Sequence, residues 1–272
     1  MNKESFFISL FNSKKIGDDA ALVDGWVMSA DAFNEDTHFR REWMSLKRIG
    51  TKAMLVNISD AVAMNAKPLY ALLTAALPKD MSPAQMEELA YGVRETAKAW
   101  GVEIVGGDTI AGQKIDLSIT LLSKTKKPLL RKPLKEGYLV GYTGELGSVA
   151  HDLKRLLRGG KVGAKSKFVR PRVRHSFMKR CGRVLKAGMD ISDGLFDDMA
   201  KLAELNRVGF AFLRKVPKRV GCSGEEYEIL FAIDPRDLLS LKRRAKMSRT
   251  KVNIVAKVVR GRFRNICKPN HF

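Results

Sequence analysis

The fold class predicted for this chain is α+β, in two lobes, each a mixed β-sheet flanked by helices. Three observations carry that expectation. A length of 272 residues is awkward for one core and comfortable for two domains of ordinary size. Short strand-like runs alternate with longer segments at helical spacing along the chain. Between the halves, KTKKPLLRKPLK at 124–135 reads as an extended linker, which sets the first domain at 1–125 and the second at 136–272. Hydrophobic residues at 45% suit a globular protein, and no apolar run approaches the roughly 20 residues needed to span a bilayer. No membrane association is expected.

Taken in order, residues 1–11 read as an opening helix of a cytoplasmic protein, because the basic Lys14 and Lys15 follow the apolar patch and no small-residue cleavage site appears. Residues 26–30 read as a strand delivering Asp31 at its C-terminal end. Residues 45–64 are helical through Leu46, Ile49, Ala53 and Val56, with Asp60 toward the end. Residues 69–77, closed by Pro78, read as a buried strand. Ser82 is an N-cap with Pro83 at the first helical position and Gln85 completing a capping box; the helix runs to Trp100 and stops at Gly101. Residues 102–105 form a strand with Gly106, Gly107 and Asp108 at its tip, and Ile115, Leu117, Ile119 and Leu121 alternate with polar residues as a half-buried strand. In the second half, 138–143 is a strand, 148–157 a helix and 158–167 a basic flexible loop. Residues 187–191 lead into a helix over 193–206, 228–233 is a strand, and the chain closes with a basic helix and the strand 252–259.

Cys181, Cys222 and Cys267 are odd in number and far apart without CxxC spacing, so all three are expected to be reduced. The net charge of +21 raises the question of nucleic acid. No acidic residue occurs between Leu153 and Met189, and a second basic cluster spans 242–251. Neither carries the interleaved aromatics that stack bases, nor a helix-turn-helix, zinc-finger or RNP string. A plain solvated basic surface fits best, with attraction of small phosphorylated ligands as the alternative, and nucleic acid is not expected as a partner.

Against this basic background five acidic strings stand out: GDDAA at 17–21, SAD at 29–31, NISD at 57–60, GGDT at 106–109 and MDISDGL at 189–195. Clustered Asp without His or Cys fits a hard cation, above all Mg²⁺, which takes oxygen ligands and bridges to substrate phosphates. Each string alone is ordinary turn chemistry. Together they point to nucleotide chemistry, although no GxxxxGK[ST] or GxGxxG string is present and neither a P-loop nor a protein-kinase fold is expected.

The order of these strings resembles the thiamine-monophosphate kinase family, within the aminoimidazole-ribonucleotide-synthetase-like ATP-binding superfamily. The likeness runs through GDDAA, DTHF at 36–39, NISDAVAMNAKP at 57–68, GGDT, VGYTGELG at 140–147, MDISDGL and SGEEYEILF at 223–231. It implies transfer of the ATP γ-phosphate to thiamine monophosphate, giving thiamine diphosphate and ADP, the last step of thiamine diphosphate biosynthesis. It implies several Mg²⁺ ions held by Asp19, Asp31, Asp60, Asp108, Asp190 and Asp193, with oxygens from Ser29 and Ala30. Gly107, Asp108, Arg131 and Ser192 would contact ATP, and His38 and Glu225 would face the thiamine substrate. A homodimer formed through the N-terminal lobes is implied as well, with the C-terminal lobe completing the active site.

The attacking phosphate oxygen is already anionic, so no general base is needed; cations and Arg131 as charge stabiliser overcome the repulsion between two phosphorylated molecules. Three departures from the family pattern stand out: Asn65 in the MNA string, Ser223 and Glu226 in SGEEYEI, and Pro269 where an aromatic precedes the final His271-Phe272. The competing expectations are another ATP-using enzyme of the superfamily, of selenide-kinase or amidine cyclo-ligase type, and a non-catalytic basic nucleic-acid-binding protein.

Overall fold

A computed structural model describes residues 3–267; Pro269, His271 and Phe272 lie outside the described residues. After a short helix α1 (Lys3–Ser9), the first sheet is assembled from β1 (Ala21–Val23), β2 (Trp26–Asn34), β3 (Lys67–Pro78), β4 (Glu103–Gly112) and β5 (Asp116–Lys124). Its order is β1-β2-β5-β3-β4, antiparallel except for the β3–β4 pair. A parallel pair needs a crossover, and α3 (Pro83–Trp100) provides it. The cap chemistry of α3 is as expected: the Ser82 hydroxyl accepts from the Gln85 amide, the Gln85 side chain accepts from the Ser82 amide, and Gly101 turns left-handed at φ 66°.

The second sheet contains β6 (Leu139–Thr143), β7 (Ala187–Asp190), β8 (Gly209–Phe212), β9 (Ile229–Ile233) and β10 (Val252–Val259), in the order β7-β9-β6-β10-β8. All of its pairings are antiparallel, so only the first sheet is mixed in strand sense. Around it lie α4 (Ser148–Leu156), α5 (His175–Cys181), α6 (Leu195–Asn206), α7 (Lys218–Gly221) and α8 (Leu238–Met247).

The element that positions the site is α2 (Leu46–Ala63). Thirteen of its 18 residues are buried, on every face, because it packs on the first sheet, α3 and elements of the second lobe together. A helix hydrophobic or covered all round belongs to an interior. Close approach to α3 is made possible by two glycines: a Cβ on Gly50 would lie 2.3 Å from the Leu89 carbonyl oxygen, and one on Gly92 would lie 2.0 Å from that of Lys47. The main hydrophobic cluster therefore runs without a break from Phe33 and Ile119 of the first sheet, past Ile58 of α2, to Phe177 and Phe231 of the second lobe. A further cluster fills the other side of the second sheet with Met189, Leu195, Leu202, Leu230 and Val255.

Several local expectations need correction. Strand β2 continues through Asp31 to Asn34, because β5 pairs with it along its whole length. Gly106, Gly107 and Asp108 are interior to β4, carried on by pairing with Leu72, Leu73 and Thr74 of β3. β3 alternates buried and exposed residues instead of being buried throughout, since one face of the first sheet is uncovered. The short elements β1, α5, β8 and α7 carry no periodic signal long enough to read.

The cysteines are the clearest reversal. Cys222 and Cys267 form a disulfide with a Cα–Cα separation of 5.5 Å, and only Cys181 is a free, buried thiol among the described residues. They are 45 residues apart in sequence. The segment after β10 folds back beside α7, a proximity that no cysteine spacing reveals.

Candidate active site

Where α2 passes between the two sheets, four of the acidic strings meet. A hollow of about 190 Å³ is lined by Asp31, His38, Asp60, Asp190, Ser192, Asp193, Glu225 and Tyr227, together with Ala32, Phe33 and Val56. Asp31 comes from β2, Asp60 from the last turns of α2, and Asp190 from the end of β7, with Ser192 and Asp193 in the following turn. These side chains come from both lobes.

Local hydrogen bonds explain why each acid is held there. The Asn57 side chain accepts from the Asp31 amide (3.1 Å) and donates to the Ala53 carbonyl oxygen (2.9 Å), tying β2 to α2. The Ser59 hydroxyl donates to Asp190 Oδ2 at 2.7 Å, joining α2 to the second sheet. Asp19 adjoins the cluster: its Oδ2 accepts from the Asp190 amide at 3.1 Å, and its Oδ1 accepts from Arg131 Nε at 3.1 Å and Nη2 at 2.6 Å. Arg131 is placed in turn by Asp18 Oδ1, which accepts its amide at 2.6 Å.

At the substrate margin, His38 Nδ1 accepts from the Asn34 amide at 2.9 Å, and its ring stacks on Phe33 with centroids 5.4 Å apart. Glu225 sits at φ 52° and donates its amide to the Ser192 carbonyl oxygen at 2.6 Å. Its Oε2 accepts from Lys52 Nζ at 2.8 Å. Lys52 is fully buried, and its ammonium lies 4.2 Å from the Phe168 ring centroid and 5.5 Å from that of Phe33.

Departures from the family pattern at Ser223 and Glu226 turn out to be a matched pair. The Ser223 hydroxyl donates to Glu226 Oε1 at 2.7 Å and accepts from the Ala150 amide at 3.1 Å. The same carboxylate oxygen accepts from the Gly147 amide at 2.6 Å, at the start of α4, where a negative charge is favoured by the helix dipole. Lys167 Nζ donates to Glu226 Oε2 at 2.6 Å and to Glu228 Oε1 at 3.2 Å, while Arg174 pairs with Glu228. The basic segment 158–167 thus ends in buried carboxylates supplied from elsewhere in the chain. Asn65 adopts φ 56°, the left-handed turn that Asn tolerates.

The electrostatics follow from crowding like charges in a dry place. Burial, reinforced by Asp19, pushes the Asp31 carboxyl up from 3.8 to about 6. Asp60 and Asp190 are pushed well above the ordinary carboxylate range, first by burial and then by their acidic neighbours. Asp19 is also raised by burial, against the pull of Arg131. An all-oxygen donor set that repels itself is a physical match for a hard divalent cation. Ser29 adds to the fit: two residues from Asp31, it is buried and its Oγ has no hydrogen-bond partner. Asp193 links the hollow to a second group formed with Asp197 and Asp198, whose charge Lys201 offsets by reaching all three: Asp193, Asp198 at 3.1 Å and Asp197 at 3.7 Å.

Of the expected residues, Asp19, Ser29 and Arg131 stand beside the hollow without lining it, and three more do not contribute a side chain there. Ala30 is exposed on β2. Gly107 and Asp108 lie on β4, three strands from β2 in the sheet order, about 14 Å away at ordinary strand spacing. Asp108 is exposed, and its Oδ1 accepts from the Thr109 amide at 2.8 Å. Gly107 has a packing role of its own, since a Cβ there would lie 1.7 Å from the Leu73 carbonyl oxygen. Conversely, Lys52, Asn57, Ser59 and Tyr227 belong to the site and were missed. A usable signal existed for three of them: polar residues in a helix too apolar to have a wet face.

Residues 17–124 match the family of AIR synthase related proteins, N-terminal domain. The thiamine-monophosphate kinase of Aquifex aeolicus is 30% identical over 247 residues, covering 80% of this chain and 80% of that protein. That of Methanopyrus kandleri is 32% identical over 232 residues, covering 82% and 73%. Among solved structures, AaThiL complexed with AMPPCP and TMP aligns with a TM-score of 0.84 at 26% identity, covering 96% of this chain and 90% of that one. The hydrogenase maturation protein HypE of E. coli aligns at 0.73 with 17% identity, a likeness of fold alone. With identity at this level over most of both chains, and with three of its five acidic strings lining one hollow and a fourth beside it, the chain is a kinase that belongs to the thiamine-monophosphate kinase family.

Proposed function

We propose that this chain transfers the γ-phosphate of ATP to thiamine monophosphate by direct in-line displacement, releasing thiamine diphosphate and ADP. The observation that carries the reading is the convergence of Asp31, Asp60, Asp190 and Asp193 on one hollow that also presents His38 and Glu225. The complex of AaThiL with AMPPCP and TMP supports it, because that relative binds an ATP analogue and the same acceptor.

In this reading Asp19, Asp31, Asp60, Asp190 and Asp193, with the Ser29 hydroxyl, hold Mg²⁺. Bound there, Mg²⁺ would supply positive charge against the phosphate oxygens and so lower the repulsion between two anionic substrates. The chain's own residues do the positioning. Arg131 holds Asp19 and stabilises charge, Ser192 contacts the nucleotide, and His38 and Glu225 orient the thiamine end. Lys52, fixed between Phe33 and Phe168, holds Glu225 in place. No side chain removes a proton, since the acceptor oxygen is already ionised.

Gly107 and Asp108 enter through the uncovered face of the first sheet. Tyr70, Leu72, Ile104, Val105 and Ile110 are all exposed, and an apolar patch of this kind supports a homodimer through the N-terminal lobes. The nucleotide would lie near that interface, where Asp108 completes its site. The domains are read as 1–125 and 136–272, and the location as cytoplasmic. No helix among the described residues is long and apolar enough to cross a membrane.

A coupled assay with ATP, Mg²⁺ and thiamine monophosphate tests the proposal; no turnover of this acceptor would refute it. Asp108→Asn is expected to abolish turnover while unfolding at the temperature of the unaltered protein, because an exposed charge contributes little to stability. Unchanged turnover would remove Asp108 from the site.

A further inference from the structure

We propose that the chain carries a second anion site, a cavity between the lobes that takes a small polyphosphorylated ligand. The cavity measures about 910 Å³ and is lined by Lys67, Lys124, Lys126, Lys127, Lys179 and Arg183, with no Asp or Glu in its wall. It is separate from the acidic hollow, with which it shares no lining residue. Its size falls in the range of small-molecule sites, roughly 300–1,000 Å³.

Most of these cations are uncompensated. Lys127 Nζ donates to the Arg183 carbonyl oxygen at 2.9 Å, and Lys124 lies over the Trp26 ring at 4.1 Å. Arg174, which also lines the cavity, is already paired with Glu228. Lys67, Lys126, Lys179 and Arg183 form no ion pair with a carboxylate among the described residues. The positive field is felt inside: burial, then Lys179 and Lys67, hold His175 below the usual histidine range. Several unpaired ammonium and guanidinium groups around one concave wall attract phosphate.

A small ligand suits this wall better than a nucleic acid. The aromatic side chains of the lining are Trp100, set edge-on to His175 with centroids 5.7 Å apart, and the buried Phe177. That is no ladder of exposed rings on which successive bases stack. Contributions from both lobes also make the site one that a compact polyanion can bridge: Lys67 and Lys124 belong to the first sheet, while Lys179 is in α5 and Arg183 follows it.

The test is calorimetric titration of the full chain with tripolyphosphate, at low ionic strength and with EDTA present so that the acidic cluster cannot recruit anions through a metal. One tripolyphosphate per chain is expected, bound at least tenfold more weakly by a Lys126→Ala, Lys179→Ala, Arg183→Ala variant and as tightly by Asp60→Asn. Kinase turnover and unfolding temperature serve as folding controls for the triple variant, and the single Lys179→Glu exchange repeats the comparison with less disturbance. Absence of saturable binding, equal binding by the variants, or binding of a single-stranded oligonucleotide but not of tripolyphosphate would each overturn the proposal.

Discussion

Replacing Asp31 by Asn separates the stability of the acidic cluster from its function. Asp31 is held about 2 pH units above its ordinary 3.8, at about 6, by burial and by Asp19. At roughly 1.4 kcal/mol per unit, its ionised form is disfavoured in the fold by about 3 kcal/mol. The sign follows from linkage. Because the folded-state value exceeds the unfolded one, the stabilising contribution is complete below about pH 4 and is lost as pH rises to about 6. In EDTA at about pH 8, Asp31→Asn should therefore be more stable than the unaltered chain by up to about 3 kcal/mol. That corresponds to roughly 2–4 °C in unfolding temperature per kcal/mol. At about pH 4 the two should unfold together, and in saturating Mg²⁺ the order should reverse while turnover is lost. Thermal unfolding by circular dichroism, repeated with and without Mg²⁺ across this pH range, reads all of it. A gain already present at about pH 4, or a loss in EDTA at about pH 8, would refute the picture of a self-repelling carboxylate cluster.

Other consequences are equally direct. Lys52→Met leaves Glu225 without its partner; with side-chain exposures of 0% and 19% for Lys52 and Glu225, it should cost about 2–4 kcal/mol in urea unfolding, much of it recovered by adding Glu225→Gln. An unchanged denaturation midpoint would show that the pair contributes nothing. Gly107→Ala puts a methyl 1.7 Å from the Leu73 oxygen, so β3 and β4 must part, and a loss above about 2 kcal/mol is expected by thermal unfolding. Gly25→Ala, with nothing within 4 Å, should cost only about 1 kcal/mol for its positive φ. Cys267→Ser opens a cross-link between residues 45 apart and should lower stability by about 2–4 kcal/mol; reductant should bring the unaltered chain down to the same level.

Much of the local structure was legible because its causes are local. The cap of α3 is spelled out by Ser82, Pro83, Gln85 and Gly101, each acting within four residues of its target. The alternation of β5 is legible for the same reason: Leu117, Ile119 and Leu121 face one core, and the pattern has period two. The length of β2 beyond Asp31 was not legible, because it depends on β5 lying alongside, some 90 residues later. The same holds for Gly107, whose need for a missing Cβ is set by a carbonyl on another strand.

For the site, the sequence by itself determined the chemistry. Acidic strings without His or Cys, in a basic chain, already pointed to hard cations and phosphates, and their order pointed to a family. Tertiary structure decided which of those acids share a volume. Asp31, Asp60, Asp190 and Asp193 share one hollow with Glu225, Asp19 stands beside it under Arg131, and Asp108 lies on a different part of the first sheet. It also decided that Lys52, Asn57 and Ser59 serve that hollow, and that Cys222 meets Cys267. The physical reason is one of range. Residue type sets what a side chain can bind, but burial, repulsion and contact arise between groups that packing brings together from distant parts of the chain, 26 residues apart for Asp31 and Asn57 and 173 for Lys52 and Glu225.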